Sequence, residues 1–382
     1  MEFIPYSCQE VNEEDIDAVI SVLRSDRLTQ GPILEQFEQA VAAYCHADFS
    51  IAVANGTAAL HLSCLALGVG PGDIVWTSPN TFVASANCAR YCGASVDFVD
   101  IDAKTRNIDA TALEAKLIAA KKKNQLPKVV IPVHFAGHSC DMAAIKKLAE
   151  QYGFYIIEDA SHAIGGKYKD DKIGSCRYSD ITVFSFHPVK NITTGEGGIA
   201  LTNNKKLADK LLQLRTHGIT RSTRWYYEQK DLGFNYRMTD IQAALGLSQL
   251  NRLDEFIEKK RSLVQRYNDA LKNSSITIPV ELNDCYSACH LYIVQVPAQD
   301  REGIFDAMRA ANIGVNVHYI PVHTQPYYQQ LGFSWGDFPI SEAYYHSAIT
   351  LPLFPSLADV QQAKVIEKLK NCVSCIMDKE ML

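Results

Sequence analysis

The chain has 382 residues, of which 47% are hydrophobic and 21% charged, with a formal net charge of −6. That length exceeds the size at which one core keeps growing, so two subdomains are expected. Scattered basic residues and an acidic balance argue against a nucleic-acid surface. No apolar run approaches the ~20 residues of a membrane span, and the first residues lack a basic segment followed by an apolar core, so a cytoplasmic protein is expected.

The eleven cysteines are odd in number and irregularly spaced, which speaks against a disulfide framework. Cys372-Val373-Ser374-Cys375 is a lone C-x-x-C inside a helical pattern and reads as reduced helix cysteines. The histidines show no metal-ligand spacing, so no metal site is expected.

In chain order, Asn12 to Asp26 reads as an amphipathic helix capped by Asn12, with Ile16, Val19, Ile20 and Leu23 as its stripe. The loop Arg27-Leu28-Thr29-Gln30-Gly31-Pro32 breaks it, exposing a cation and two hydrogen-bonding side chains. Ser50 to Val53 is a short strand, and the pattern turns helical at Gly56-Thr57, running to Gly68. A helix start with glycine and a hydroxyl is a natural phosphate site, although Thr57 could equally be an N-cap. Strand-like runs recur at Ile74–Thr77, Val96–Val99, Val129–Val133 and Tyr155–Glu158, alternating with helical patterns such as Met142–Tyr152. This rhythm predicts an α/β domain with a largely parallel sheet, which binds ligands at the carboxyl ends of its strands. Phe82, Asp159, Ser185 and Lys190 all fall at such ends. Asp159 closes an apolar strand; a carboxylate there needs a partner, either a ligand N–H or the next turn.

The stretch Ser185-Phe186-His187-Pro188-Val189-Lys190-Asn191 follows the apolar run Asp180–Phe184. Pro188 forces the chain out of the sheet, leaving Lys190 on a loop among glycines. A solvated lysine has a pKa of ~10.4, so about one in 2,500 is a free amine at neutral pH. Burial can lower that by ~3–5 units and produce a nucleophile for Schiff-base chemistry. Gly195-Glu196-Gly197-Gly198-Ile199-Ala200 contains G-x-G-x-x-A, but it precedes a strand and opens no helix, so it is not read as a dinucleotide site. Arg215 to Arg237 is loop-rich and carries Arg221, Arg224, Trp225, Tyr226 and Asn235. Thr239 to Asn273 reads as one long helix leading into a second subdomain with strands at Leu291–Val294 and near Val315, a helix over Gly303–Ala311 and a closing helix from Asp359. The expected division is 1–250 for the large domain and 251–382 for a smaller α+β domain.

Taken in order, Asn55-Gly56-Thr57-Ala58-Ala59-Leu60, Pro79-Asn80-Thr81-Phe82, Glu158-Asp159-Ala160-Ser161-His162, Ser185 to Gly198 and Gly233-Phe234-Asn235-Tyr236-Arg237-Met238 resemble the DegT/DnrJ/EryC1/StrS family of sugar aminotransferases. The resemblance spans nearly the whole chain. It implies a fold type I, aspartate aminotransferase-like architecture, pyridoxal 5'-phosphate as cofactor, and a homodimer with shared sites. It further implies that Lys190 carries the cofactor as a Schiff base and that Asp159 pairs with the pyridine nitrogen. Gly56, Thr57 and Ser185 would hold the phosphate, with Asn235 arriving from the second subunit, while Phe82 and His162 flank the ring. Tyr6, Arg27, Leu28, Thr29, Gln30, His318, Tyr319, Ile320 and Pro321 would contact substrate.

The activity so implied is transfer of an amino group from L-glutamate to C4 of a UDP-linked 4-keto-6-deoxy-N-acetylhexosamine of the L-altro series, the gluco epimer being the alternative. Arg27 with Arg221 or Arg224 suits a diphosphate, and Trp225 and Tyr226 suit stacking or a dimer interface. A sugar dehydratase of the same family is disfavoured by Lys190, because that branch carries histidine there. A non-enzymatic relative would be expected to lose Lys190 or Asp159. Ordinary amino-acid transamination needs a small-domain arginine, and only Arg301 and Arg309 remain after Arg266.

Overall fold

A computed structural model describes residues 3–380, with side chains described through Ser374, so Cys375 lies outside the described side chains. The centre is a seven-stranded sheet of β1 (Phe49–Val53), β2 (Ile74–Thr77), β3 (Ser95–Phe98), β4 (Val129–Ile131), β5 (Tyr155–Asp159), β6 (Ile181–Ser185) and β7 (Gly198–Thr202). Their spatial order is β1-β7-β6-β5-β4-β2-β3. β2, β3, β4, β5 and β6 pair in parallel; β7 runs against both β6 and β1, so six strands share one direction. The expected mostly parallel sheet is therefore present, with one reversed strand near an edge. β4 is a continuous apolar run, and β6 is buried from Ile181 to Phe184, as a parallel sheet between helices requires.

Helix α1 (Glu13–Leu23) starts at Asn12, which closes a capping box with Asp15. Helix α2 (Pro32–Cys45) has proline in its first turn. Between β1 and β2 runs α3 (Gly56–Ala66), apolar almost all round and buried between the sheet and its neighbours. Asn55, not Thr57, is its cap, accepting from the Ala58 amide at 2.8 Å. Asn55 is oriented by its extended backbone, which frees Thr57 to sit inside the first turn. α4 (Ala84–Tyr91) follows β2, while α5 (Ala110–Lys122) and α6 (Met142–Tyr152) cover the sheet further on. α7 (Lys205–Arg215) follows β7, and beyond it a two-stranded hairpin, Ile219–Arg221 paired with Tyr227–Gln229, projects into solvent.

The single helix expected over Thr239–Asn273 is two, α8 (Asp240–Leu250) and α9 (Leu253–Leu271). The break at Asn251-Arg252 lets the Arg252 guanidinium turn back to the buried Asp15 carboxylate of α1. α9 is shared between two cores. Leu253, Phe256 and Ile257 pack with the central sheet; Leu263, Tyr267 and Leu271 pack with β8 (Tyr292–Gln295), β9 (Ala348–Leu351), α10 (Arg301–Ala310) and the closing helix Asp359–Glu380. No strand forms at Val315. Its neighbours divide their pairing, Ile313 bridging to Ile4 and Asn316 to Thr350, so no continuous ladder can build.

One side chain fixes how the N-terminal helices meet α8. Asp240 is fully buried and accepts from the amides of Gly31 at 2.8 Å and Ile33 at 3.1 Å, capping α2 from another helix. A Cβ on Gly31 would meet the Asp240 carboxylate at 2.5 Å, so glycine lets the loop approach. Asp240→Ala should therefore strip the cap and lower stability by about 1–2 kcal/mol, read as a lowered midpoint in urea unfolding; an unchanged midpoint would refute the capping role.

Candidate active site

Five strand ends converge on one cavity of about 870 Å³. Lined by Asn55, Gly56 and Thr57 after β1, Thr81 and Phe82 after β2, Val133 after β4, Asp159 and His162 at β5, and Ser185 and Lys190 after β6, it also receives Tyr6, Asn316, His318 and Tyr319 from other parts of the chain. This is where an open α/β sheet places its ligands.

Lys190 stands on the loop that leaves β6. That loop is closed on itself: Phe186 donates to the Gly197 carbonyl at 2.8 Å, Thr194 to the Phe186 carbonyl at 3.0 Å, and Lys190 to the His187 carbonyl at 2.8 Å. Lys190 is partly buried and lines the cavity. Burial pushes its pKa down to about 8, and the Asp159 carboxylate opposes that shift. Asp159 is itself buried and receives Ser85 Oγ at 2.6 Å on one oxygen and Ser161 Oγ at 2.6 Å on the other. The Ser161 amide also donates to that second oxygen, Oδ1, at 3.2 Å. Oδ2 accepts only from Ser85 and keeps a lone pair, so an N–H entering from the cavity can still be accepted there.

At the other end of the cavity, the first turn of α3 presents the Gly56 and Thr57 amides, which have no intrahelical partner. Ser185 faces them so closely that a Cβ on Gly56 would lie 2.9 Å from the Ser185 Cβ. Gly198 is equally constrained, since a Cβ there would meet the Asn55 carbonyl carbon at 2.4 Å. These contacts explain the glycines and leave an anion-sized cradle at a helix N-terminus. A carboxylate to receive an aromatic N–H, an amine of lowered pKa and a phosphate cradle fit pyridoxal phosphate. When bound, that group supplies a carbonyl for the amine and a ring that stores an electron pair.

His162 forms one wall. Its Nδ1 accepts from the Ala136 amide at 3.3 Å, and its Nε2 pairs with the Tyr319 hydroxyl at 3.2 Å. Tyr319 stacks on it at 6.1 Å and His290 lies against its ring at 4.4 Å. Burial holds His162 and His290 well below the usual imidazole range, with Lys190 adding to both shifts. His318 is lowered to about 4, by burial first and Lys190 second, and its Nδ1 meets Thr350 Oγ1 at 2.8 Å. The wall is thus made of neutral imidazoles at pH 7.

Other expected residues fall elsewhere. Arg27 and Gln30 line a second cavity, between α1, α2 and α8, and not the Lys190 cavity. Leu28 is half-exposed, and Thr29 bridges to Thr239. Ile320 is exposed and Pro321 buried, both outside the Lys190 cavity. Asn235 is exposed and bridges to Thr216 at the base of the hairpin. On the hairpin, Trp225 is 81% exposed, so it packs no core within the protomer. No arginine lines the Lys190 cavity among the described residues; Arg301 lies over Tyr345 and Arg309 over Phe3.

Sequence reasoning missed Ser85, Asn191, Lys260 and His290. Lys260 was detectable: it continues the stripe Leu253, Phe256, Ile257, Leu263, Tyr267 at helical spacing, inside the charged run Glu258-Lys259-Lys260-Arg261 that reads as a solvated face.

Comparison with known proteins agrees with this geometry. Residues 9–370 match the DegT/DnrJ/EryC1/StrS aminotransferase family. The spore coat polysaccharide biosynthesis protein SpsC of Bacillus subtilis is 41% identical, covering 97% of each chain. A UDP-4-amino-4,6-dideoxy-N-acetyl-beta-L-altrosamine transaminase of Campylobacter jejuni is 36% identical, covering 98% of each. Among solved structures, Helicobacter pylori PseC, an aminotransferase of pseudaminic acid biosynthesis, superposes with a TM-score of 0.92 at 30% identity, over 98% of this chain and 100% of that one. Spr1654 of Streptococcus pneumoniae in its PLP form gives 0.90 at 31% identity, over 98% and 99%.

Only the free amine of Lys190 can attack a carbonyl. Its fraction rises with pH up to about 8 and then saturates. Cofactor-free protein mixed with pyridoxal phosphate should turn yellow at a rate that climbs about tenfold per pH unit below that point and levels above it. Borohydride reduction followed by peptide mapping should place the label on Lys190, with none in Lys190→Ala. Label on another lysine would overturn the assignment.

Proposed function

Because the chain belongs to the DegT/DnrJ/EryC1/StrS aminotransferase family, and is a PLP-dependent sugar aminotransferase, we propose that it moves the amino group of L-glutamate to C4 of a UDP-linked 4-keto-6-deoxy-N-acetylhexosamine of the L-altro series. The observation that carries the reading is that Lys190 and the buried Asp159 line one cavity. For the sugar, support comes from the Campylobacter relative's name and its coverage of nearly the whole chain.

In this reading each residue has a definite task. Lys190 would hold the cofactor and, once released, its free amine would take the proton from the donor's α-carbon in one half-reaction and deliver a proton to the acceptor carbon in the other. Asp159 accepts the ring N–H and keeps that nitrogen protonated. Gly56 and Thr57 offer backbone amides and Ser185 a hydroxyl to the phosphate. Phe82 and His162 lie on the two faces of the ring, and the neutral His162 does so without adding a competing charge. Tyr6, His318 and Tyr319 reach the sugar.

A second copy of the chain completes the site. Asn235, Arg221 and Arg224 stand on an exposed hairpin region, and Arg27 to Gln30 lie away from the protomer's own cavity. Across a two-fold axis the same residues would approach the partner's cavity, adding a phosphate contact and cations for the diphosphate. We extend the reading to the division of the chain, with 1–250 as the cofactor-binding domain and 251–382 as the smaller one.

Two experiments test these assignments. Glutamate supplied with the altro and gluco 4-keto epimers separately should give efficient turnover of the altro sugar; turnover of the gluco epimer alone would refute the stereochemistry, and turnover of neither by the yellow enzyme would remove the UDP-sugar reading. Mixing Lys190→Ala with Asn235→Ala subunits should restore part of the activity, because one site of each hybrid keeps both residues. Recovery no better than either variant, with subunit exchange verified, would show that sites are not shared.

A further inference from the structure

Directly behind the Lys190 loop lies a second buried lysine. Lys260 of α9 is only 2% exposed, and its Nζ donates to Asn191 Oδ1 at 2.8 Å and to the His290 carbonyl at 3.5 Å. Both acceptors are neutral. A buried ammonium with only neutral partners is costly, so its retention on an otherwise apolar helix stripe points to a task beyond packing. Asn191 is the residue next to Lys190. Its Nδ2 donates to the carbonyls of Ile164 at 3.3 Å and Ala288 at 3.1 Å, so this amide joins the Lys190 loop, the segment after β5, the 288–290 segment and α9. Lys190, Asn191 and Lys260 also line one narrow crevice under the loop.

We propose that Lys260 is a positioning residue for the transamination, bracing the Lys190–Asn191 loop through the Asn191 amide and placing a second ammonium behind the reacting amine. This rests on the aminotransferase chemistry of the family. Two like charges in one dry region disfavour each other. The Lys190 charge helps push Lys260 down to about 8, after burial as the larger cause working the same way and the Cys289 thiol opposing it. Coupling of this kind is mutual, so the Lys260 charge disfavours a proton on the Lys190 nitrogen, whether that nitrogen is a free amine or is joined to the cofactor.

The other groups around Lys190 do not duplicate this effect. Asp159 is the carboxylate that acts on it, in the opposite direction. The imidazoles of His162, His290 and His318 are held neutral by burial. The Tyr319 phenol is held protonated, with burial as the main cause, and Tyr6 is raised in the same way. His187 and Glu196 of the same loop and His61 of α3 reach the wider cavity. On the crevice side, Cys8 and Glu10 come from the N-terminal segment, and Glu10 is engaged by Arg252 at 3.8 Å.

The test is an absorption titration of the yellow holoenzyme, which reads the proton on the Lys190 nitrogen without turnover. In Lys260→Met, which removes the charge and keeps the length, the pH midpoint of the visible band should move up by about half a unit to one unit. Lys260→Gln, neutral but still able to donate to Asn191, should move it equally, while Lys260→Arg should hold the wild-type value. The acid limb of kcat should shift in the same sense in the Met and Gln variants, with KM for both substrates unmoved. If Met and Gln variants fold, take up cofactor and show an unmoved midpoint, Lys260 does not act on Lys190; failure of both to fold would make Lys260 purely structural and equally overturn the proposal. A wild-type protein that never turns yellow would instead remove the aminotransferase reading.

Discussion

An amine that must give up its proton near neutral pH has to be kept from bulk water, and much of this molecule follows from that requirement at Lys190. The β6 strand ends at Ser185, and the loop beyond it folds back through Phe186, Thr194 and Gly197. This pins Lys190 at the floor of a cavity where desolvation dominates its titration. The same dry cavity keeps the surrounding imidazoles neutral. Were they charged, the net positive potential would disfavour a protonated ring nitrogen of the kind that Asp159 is proposed to receive. Asp159 is the carboxylate that acts on Lys190, and Ser85 and Ser161 donate to it without adding charge.

The second constraint is steric. A phosphate cradle needs bare backbone, and here the helix N-terminus, the β6 end and the β7 start meet within side-chain contact. Gly56 against Ser185 and Gly198 against Asn55 leave no space for Cβ atoms. Reversal of β7 in an otherwise parallel sheet brings Gly198 there, because its N-terminal end is at the carboxyl side of its neighbours. The topology and the anion site are therefore one feature.

The large features were legible in the sequence because they sit at discontinuities. Apolar runs ending in Asp159 or in the Pro188 turn place a charged residue at a strand end, and Gly56-Thr57 marks a strand turning into a helix. What was illegible arises from long-range contact. Lys260 hides in a charged run on a helix whose neighbours are solvated. Ser85 matters only because β2 and β5 lie on either side of β4. The break between α8 and α9 leaves the helical apolar pattern nearly in phase and is decided by Arg252 reaching Asp15. The sequence pattern of Val315 reads as a strand, yet its neighbours are claimed by Ile4 on one side and Thr350 on the other.

Near the candidate site, the lysines and the hairpin arginines stand in different surroundings. The lysines whose pKa values burial can move, Lys190 and Lys260, are inside. The guanidiniums of Arg221 and Arg224 are on the exposed hairpin. An arginine within the cavity would need a carboxylate partner to offset its burial, and that carboxylate would raise the proton affinity of Lys190. In the shared-site reading, hairpin cations brought in by a second copy would meet a polyanionic ligand where water still screens them from the amine. Binding energy gathered there would orient the reacting carbon without altering the proton chemistry of the buried amine, so on that reading anchoring and catalysis can be set independently in the same chain.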